Sequence, residues 1–456
     1  MSRDRLLVLA ACYLAILSVG ENSTAIMAAL PAMTSGLGLG PATVEWIVNA
    51  YLLASAVFIV LGGDAADRFG ARRSSAAGIA LFALASLIIA LAADGAMVVG
   101  ARALQGVGAA FAVAGTLAAV SETAASGSDR GRMIGAWTGF LMLGFSIGPL
   151  VGGAVTHYAG WRVNFWLNVA VMIPAATTLW LNPGNAGKPS RGGDWLGLGL
   201  LALFMVALVH GLRATATAVA DPAGAIAPLS LAAIAFAALF RIETRHQRPL
   251  VDFGLFRSRN FALACALAFL LMSCIMAVLL YYNLFAQSSA GLGRTPIAAG
   301  LSLMPMSAAL FGFARAAPWL SAKIGLRPMM AGGSLLLALG CAIAWASATD
   351  AGFMALLLGL CAVGAGIALP YASAPRIGLA ALLPNETGKG SGVLNSCSFL
   401  GGTVGVTGGG IAFGLAGFRG VLALVGLSAL LIAGLSLAIR DQESPKAPTG
   451  PELLGS

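Results

Sequence analysis

Along this chain, long apolar runs alternate with short polar breaks, and nearly every run has the length of a hydrocarbon crossing. A helix needs ~20 mostly apolar residues to cross ~30 Å of hydrocarbon. Reading the edges from charges and from Gly and Pro gives fourteen spans, at roughly 6–31, 43–62, 74–93, 96–120, 133–157, 162–182, 195–212, 223–240, 260–286, 296–321, 327–348, 352–374, 389–415 and 418–439. The ~10-residue alternation of a membrane β-barrel is absent. The first run, Leu6 to Met33, has no A-x-A-like site closing a short apolar core, so it reads as a retained span and not a signal peptide.

Composition narrows the class. With 59% hydrophobic and 9% charged residues and a mean hydropathy of +0.90, a water-soluble domain is excluded and an all-α polytopic membrane protein is expected. An even number of spans puts both termini on one side. Placing them in the cytoplasm leaves only Arg162, Arg213, Arg294 and Arg419 outside, with Arg102 and Arg315 within spans. The net charge of +9 is then a positive-inside signature in contact with anionic membrane lipid, and no nucleic-acid partner is needed to explain it.

Other chemistry is thin. Cys12, Cys265, Cys274, Cys341, Cys361 and Cys397 lie inside apolar runs without ligand spacing and read as packing thiols. The histidines, His157, His210 and His246, are scattered, so no metal centre is expected. There is no G-x-x-x-x-G-K-[ST] phosphate loop and no nucleophile–base constellation; neither an enzyme nor a cofactor is expected.

The chain repeats itself. "LGFSIGPLVGGAVTHYAGWR" from Leu143 and "LGGTVGVTGGGIAFGLAGFR" from Leu400 share the pattern L-G-x-x-x-G-x-x-x-G-G-x-x-x-x-x-A-G-[WF]-R. "GGDAADRFGARR" from Gly62 has a weaker echo, "APWLSAKIGLRP" from Ala317, at nearly the same offset. Two related halves with two extra spans between them are expected: residues 1–183, an insertion at 184–259, a second half at 260–440, and a disordered tail at 441–456. Related halves around a midplane cavity belong to secondary transporters, although Gly at every fourth position also serves plain helix packing.

These stretches carry a resemblance. "GGDAADRFGARR" resembles the loop motif between the second and third helices of the major facilitator superfamily. "RALQGVGAA" (Arg102 to Ala110) is similar to its fourth-helix R-x-x-Q-G motif, and "GFSIGPLVGG" resembles the G-x-x-x-G-P-x-x-G-G antiporter motif, here Gly144, Gly148, Pro149, Gly152 and Gly153. "WIVNAYLL" (Trp46 to Leu53) and the stretch from Leu279 to Pro305 look like the fourteen-span drug:proton antiporter branch. The resemblance implies the superfamily fold with six, two and six helices, working by alternating access in a bacterial inner membrane with both termini cytoplasmic. It also implies a monomer that exports a small organic compound, a drug or antibiotic, in exchange for protons. A facilitator, or a lipid or metabolite exporter not coupled to protons, is the alternative.

Within that frame Asp64, Asp67, Arg68, Gly70, Arg72 and Arg73 would form a latch of ion pairs that shuts the cytoplasmic side in the outward-facing state, or would set topology alone. Glu21 lies ~22 Å along the first span and Arg102 ~9 Å below the outer boundary, depths that coincide. A Glu21–Arg102 ion pair or water-bridged pair is therefore expected as the proton-coupling site. The branch carries its first-helix acid where this chain has Asn22, so three readings stay open. Glu21 substitutes from a neighbouring angle, it braces Arg102 without exchanging its proton, or it is misplaced. Asn22, Gln105, Asn49, Tyr51, Trp137, Phe140, Tyr281, Tyr282, Asn283 and Asn395 are the candidate cavity residues, with interfacial anchoring as the other reading for the aromatic ones.

Overall fold

The computed structural model describes residues 3–124, 127–185, 194–215, 222–246, 249–348, 352–383 and 386–439. In order, the helices are α1 (Arg3–Leu37), α2 (Pro41–Phe69), α3 (Ala71–Ala90), α4 (Gly95–Thr123), α5 (Gly127–Ala159), α6 (Trp161–Leu181), α7 (Trp195–Ala214) and α8 (Pro222–Glu243). A 3-10 turn (Phe253–Arg257) leads into α9 (Arg259–Gln287), α10 (Pro296–Ile324), α11 (Leu326–Ala346), α12 (Phe353–Ala380) and α13 (Thr387–Leu437). All 13 are long and apolar enough to cross a membrane, and no strand occurs among the described residues. Only structures that pair every backbone N–H and C=O internally can cross hydrocarbon, and these helices do so within one segment.

The last helix needs closer reading. Its 51 residues would extend about 77 Å at 1.5 Å per residue, far beyond one crossing. The backbone leaves helical geometry at Ala416 and at Gly417, where φ is 60°. The two arms, residues 387–415 and 418–437, each have the length of one crossing, so the 13 helices of this polytopic all-α architecture come close to the fourteen spans expected. Most helices overrun the sequence-based edges by a turn or so, because the helix continues past the apolar run that marks the span. The expected tail, 441–456, lies outside the described residues.

The repeat seen in the sequence is a repeat of backbone geometry. Gly160 between α5 and α6 (φ 86°) matches Gly417 in the α13 break, and Gly70 between α2 and α3 (φ 91°) matches Gly325 between α10 and α11 (φ 87°). Positive φ excludes most L-residues, which is why glycine stands at each of these corners. The glycine stripes do equivalent work. A Cβ on Gly144, Gly148 or Gly152 would run into the α1 backbone, and one on Gly401 or Gly405 would run into the α9 backbone. Glycine here permits backbone contact between helices.

Helices α1 to α6 pack among themselves, as do α9 to α13. The two groups meet along α5 against α10, along α2 against α13, and where α1 touches α9. Helices α7 and α8 pair with each other, and α7 leans on α2 and α13. At one end of the bundle lie Arg3, Arg5, Arg68, Arg72 and Arg73; this arginine-rich end and the far end are the reference points below.

Candidate functional site

The deepest charge is Arg102 on α4, fully buried. A lone guanidinium in an apolar interior is costly, and the fold supplies a partner for nearly every direction it faces. Its Nη1 donates to Asn22 Oδ1 on α1 at 2.8 Å and to Gln105 Oε1 one turn along α4. Its Nε donates to the carbonyl of Ile47 at 3.0 Å, and its plane lies over the Tyr51 ring, 4.3 Å from the centroid. Gln105 Nε2 donates onward to Ser86 Oγ, and the Tyr51 hydroxyl meets Ser23 Oγ at 3.1 Å. Asn22, Gln105 and Tyr51 thus form a polar nest that knits α1, α2, α3 and α4 together, with Arg102 Nη2 alone in it meeting no hydrogen-bond partner among the described residues.

Glu21 and Arg102 form no direct ion pair among the described residues. Successive residues on a helix point ~100° apart, and it is Asn22 that faces α4. Glu21 is partly exposed and has no ion pair among the described residues. It shares a face of α1 with Thr24, one turn farther from the arginine-rich end. Thr24 Oγ1 donates to the carbonyls of Glu21 and Phe145, tying this stretch of α1 to α5.

Thr24 also lines the cavity between the two halves. Its walls are Met142, Phe145 and Ser146 of α5, Met272, Ile275 and Leu279 of α9, Met306, Ser307, Leu310, Phe311 and Ala314 of α10, and Ala368 and Tyr371 of α12. No lining side chain is charged. Thioethers and aromatic rings dominate, with a few hydroxyls, so the walls offer dispersion and adaptable shape to an apolar, ring-containing molecule.

One face of α5 explains where this cavity opens. At the far end Gly153 touches Pro296, and Gly300 touches Pro149, so closely that a Cβ would strike the partner backbone. Along the same face, Met142 and Ser146 border the cavity. Farther on, Gly135 and Gly139 have nothing within 4 Å of an added Cβ. The seam is shut at the far end and loosens toward the arginine-rich end.

The latch residues agree with that picture. Asp64, Asp67, Arg68 and Arg73 are exposed, and among the described residues neither acid makes an ion pair. Arg72 instead donates to the carbonyl of Asn182 at 3.2 Å, and Arg68 lies over Phe69. The ion pairs expected for this motif are therefore absent from this conformation, while Gly70 keeps its corner.

Most of the sequence-based cavity candidates pack elsewhere. Asn49 donates to Thr407 Oγ1 across the α2–α13 seam, and the Tyr281 hydroxyl donates to the carbonyl of Val406. Tyr282 donates to Ser302, Asn283 to the carbonyl of Leu279, and Asn395 to that of Ser391. Trp137 Nε1 donates to Thr116 Oγ1, and Phe140 stacks on Tyr13 at 5.1 Å. Asn283 and Asn395 thus bond within their own helices and the others hold helices together, because an apolar interior rewards satisfied hydrogen bonds, whereas the cavity wall is made of residues too ordinary to stand out in a sequence. The signal that could have found the wall is helical phase: Met142 and Ser146 lie on the face that carries Pro149 and Gly153.

The two halves are alike in backbone and unlike in chemistry. The Cβ of Gly148 would meet the carbonyl of Glu21 where that of Gly405 meets Ser273, and Gly106 meets Tyr51 where Gly364 meets Met306. By this correspondence Glu21, Asn22, Tyr51, Arg102 and Gln105 of the first half are matched by Ser273, Cys274, Met306, Leu360 and Val363 in the second. At these positions the carboxylate and the guanidinium both belong to the first half.

Comparison with known proteins agrees with the architecture. A family model described as Major Facilitator Superfamily matches residues 12–406 and 316–454. The chain is 30% identical over 366 residues to the multidrug resistance protein Stp of Mycobacterium tuberculosis, covering 80% of this chain and 68% of that one. It is 33% identical over 325 residues to the putative multidrug resistance protein MdtD of Cronobacter sakazakii, covering 70% and 67%. It is 31% identical over 302 residues to the tetracenomycin C resistance and export protein of Streptomyces glaucescens, covering 66% and 55%.

Proposed function

Because the chain belongs to the Major Facilitator Superfamily, we propose that it is a proton-coupled antiporter exporting a drug or antibiotic across a bacterial cell membrane. The printed names of its relatives speak of drug resistance and export. The arginine-rich end is read as cytoplasmic, with both termini there, from the charge asymmetry. The conformation then faces inward, ready to accept cargo from the cytoplasm.

The observation that carries the reading is the division of labour between Glu21 and Arg102. Asn22, Gln105 and the Ile47 carbonyl already hold the Nη1 and Nε of Arg102. That leaves Glu21 free of an ion pair and beside Thr24 at the cavity. A carboxyl group placed there can exchange a proton when cargo enters or leaves, which is the linkage that antiport requires. The two six-helix units would rock about the α5–α10 and α2–α13 seams, with Asp64 and Asp67 meeting the arginines when the inner side closes.

The test compares wild type with Glu21→Gln in proteoliposomes that carry a pH gradient. Retained cargo binding with gradient-driven export lost supports Glu21 as the coupling acid. Unchanged gradient-driven export would refute that role. A second reading, uncoupled facilitation, is favoured by Asn22, since the residue that faces Arg102 cannot ionise. It predicts transport that follows the cargo gradient alone, in wild type and variant alike.

A further inference from the structure

Away from the cavity, two acids meet at the base of the α7–α8 pair. Asp194 caps α7, its Oδ1 accepting from the backbone N–H of Gly197 at 2.7 Å. Glu243 ends α8 and is 2% exposed, with its Oε2 accepting from the N–H of Val251 at 3.2 Å. Each carboxyl thus commits one oxygen to a backbone donor. The remaining two, Asp194 Oδ2 and Glu243 Oε1, are buried and meet no hydrogen-bond donor among the described residues. They lie together above Gly197, where an added Cβ would strike both.

The surrounding charges do not resolve the pair. His246 Nδ1 stands 4.0 Å from Asp194 Oδ2 on a side chain that is 46% exposed, beyond hydrogen-bond reach. Asp252 is engaged by Lys389 at 3.8 Å and by the N–H of Gly254. Arg257 borders the adjacent cleft, and Arg241 and Arg245 are exposed. Lys188, Arg191 and Arg248 lie outside the described residues. No group of three or more metal-capable side chains occurs among the described residues, so a divalent cation is poorly served.

Two ionised carboxylates held this close, away from water, repel each other, and one proton between them turns the repulsion into a hydrogen bond. We propose that Asp194 and Glu243 form a proton-binding site that holds one shared proton drawn from the water at the arginine-rich end. The pair then carries a single negative charge. Because Glu243 also holds Val251, and Leu255 just beyond packs in one cluster with Phe261 of α9 and Leu394 of α13, the proton fastens the inserted helices to the second half. The site is independent of Glu21 and of any transported cargo.

A proton kept by the folded chain and released by the unfolded one adds stability at low pH that is lost as pH rises. The experiment uses the full-length chain in lipid nanodiscs between about pH 5 and 9. Infrared difference spectra of wild type minus Asp194→Asn, and of wild type minus Glu243→Gln, are expected to contain the same protonated-carboxyl band, bleaching on alkalinisation. Hydrogen exchange in wild type alone is expected to show the amides of Gly197 and Val251 losing protection with rising pH beyond the intrinsic acceleration, so the proposal stays testable even if a variant fails to fold. It is overturned if no such band appears at any pH with protection constant, or if a chelator abolishes the protection and Mg2+ or Zn2+ restores it.

Discussion

Arg102 Nη1 donates to Asn22 Oδ1 at 2.8 Å, so the guanidinium of α4 is joined to α1 by a neutral amide where a carboxylate would have made an ion pair. Asn22→Leu removes one of the acceptors that hold the buried guanidinium, and losing a hydrogen bond to a charged group costs about 1.5–3 kcal/mol. The expected outcome is a sharp fall in melting temperature in detergent. Asn22→Asp keeps the geometry and adds the opposite charge, so it should melt no lower than wild type.

Glycine contacts differ along one helix. At Gly148 a Cβ would collide with Thr24 Oγ1 and the Glu21 carbonyl, whereas at Gly135 it would meet nothing within 4 Å. Gly148→Ala forces α1 and α5 apart, with an overpacking cost of about 1–3 kcal/mol, and Gly135→Ala should be neutral or slightly stabilising. Thermal melting of the two variants side by side checks the contrast.

Phe145 and Phe311 face each other's helices across the cavity. Removing one aromatic contact to a ring-containing cargo costs about 0.5–1.5 kcal/mol, which weakens apparent affinity roughly 2- to 10-fold. Phe311→Ala should therefore raise KM for transport while leaving the pH profile of the maximal rate in place. A changed pH profile with constant KM would contradict the assignment of this wall to cargo.

At the far end, Arg213 of α7 sits 3.7 Å from Glu45 of α2, with both side chains partly exposed. Partly solvated pairs of this kind contribute roughly 0–1 kcal/mol. Arg213→Gln should lower the melting temperature only slightly, and the difference should shrink as salt is raised.

Much of the architecture was legible because hydrocarbon imposes a length on each span and a sign on each loop. The glycines at 70, 160, 325 and 417 were visible as a repeat, and each proved to be a corner with positive φ. The site was less legible. Glu21 and Arg102 were conspicuous as charges in apolar runs and sat at matching depths, but depth does not fix azimuth, and one residue of rotation gave the arginine to Asn22.

What the sequence by itself determined is therefore one-dimensional: the crossings, their doubling, the side on which the positive charge gathers, and a fourth helix built to hold a charge. Those follow from local hydrophobicity and from backbone corners that only glycine tolerates. Tertiary structure alone decided which polar groups were consumed in packing, as with Asn49, Tyr281 and Tyr282, and which ordinary side chains, Met142, Phe145, Phe311 and Tyr371, surround the cavity. The physical reason is that a cavity is the space left after helices have settled against one another. Its lining depends on the rotation and separation of several helices at once, which no single stretch of sequence encodes.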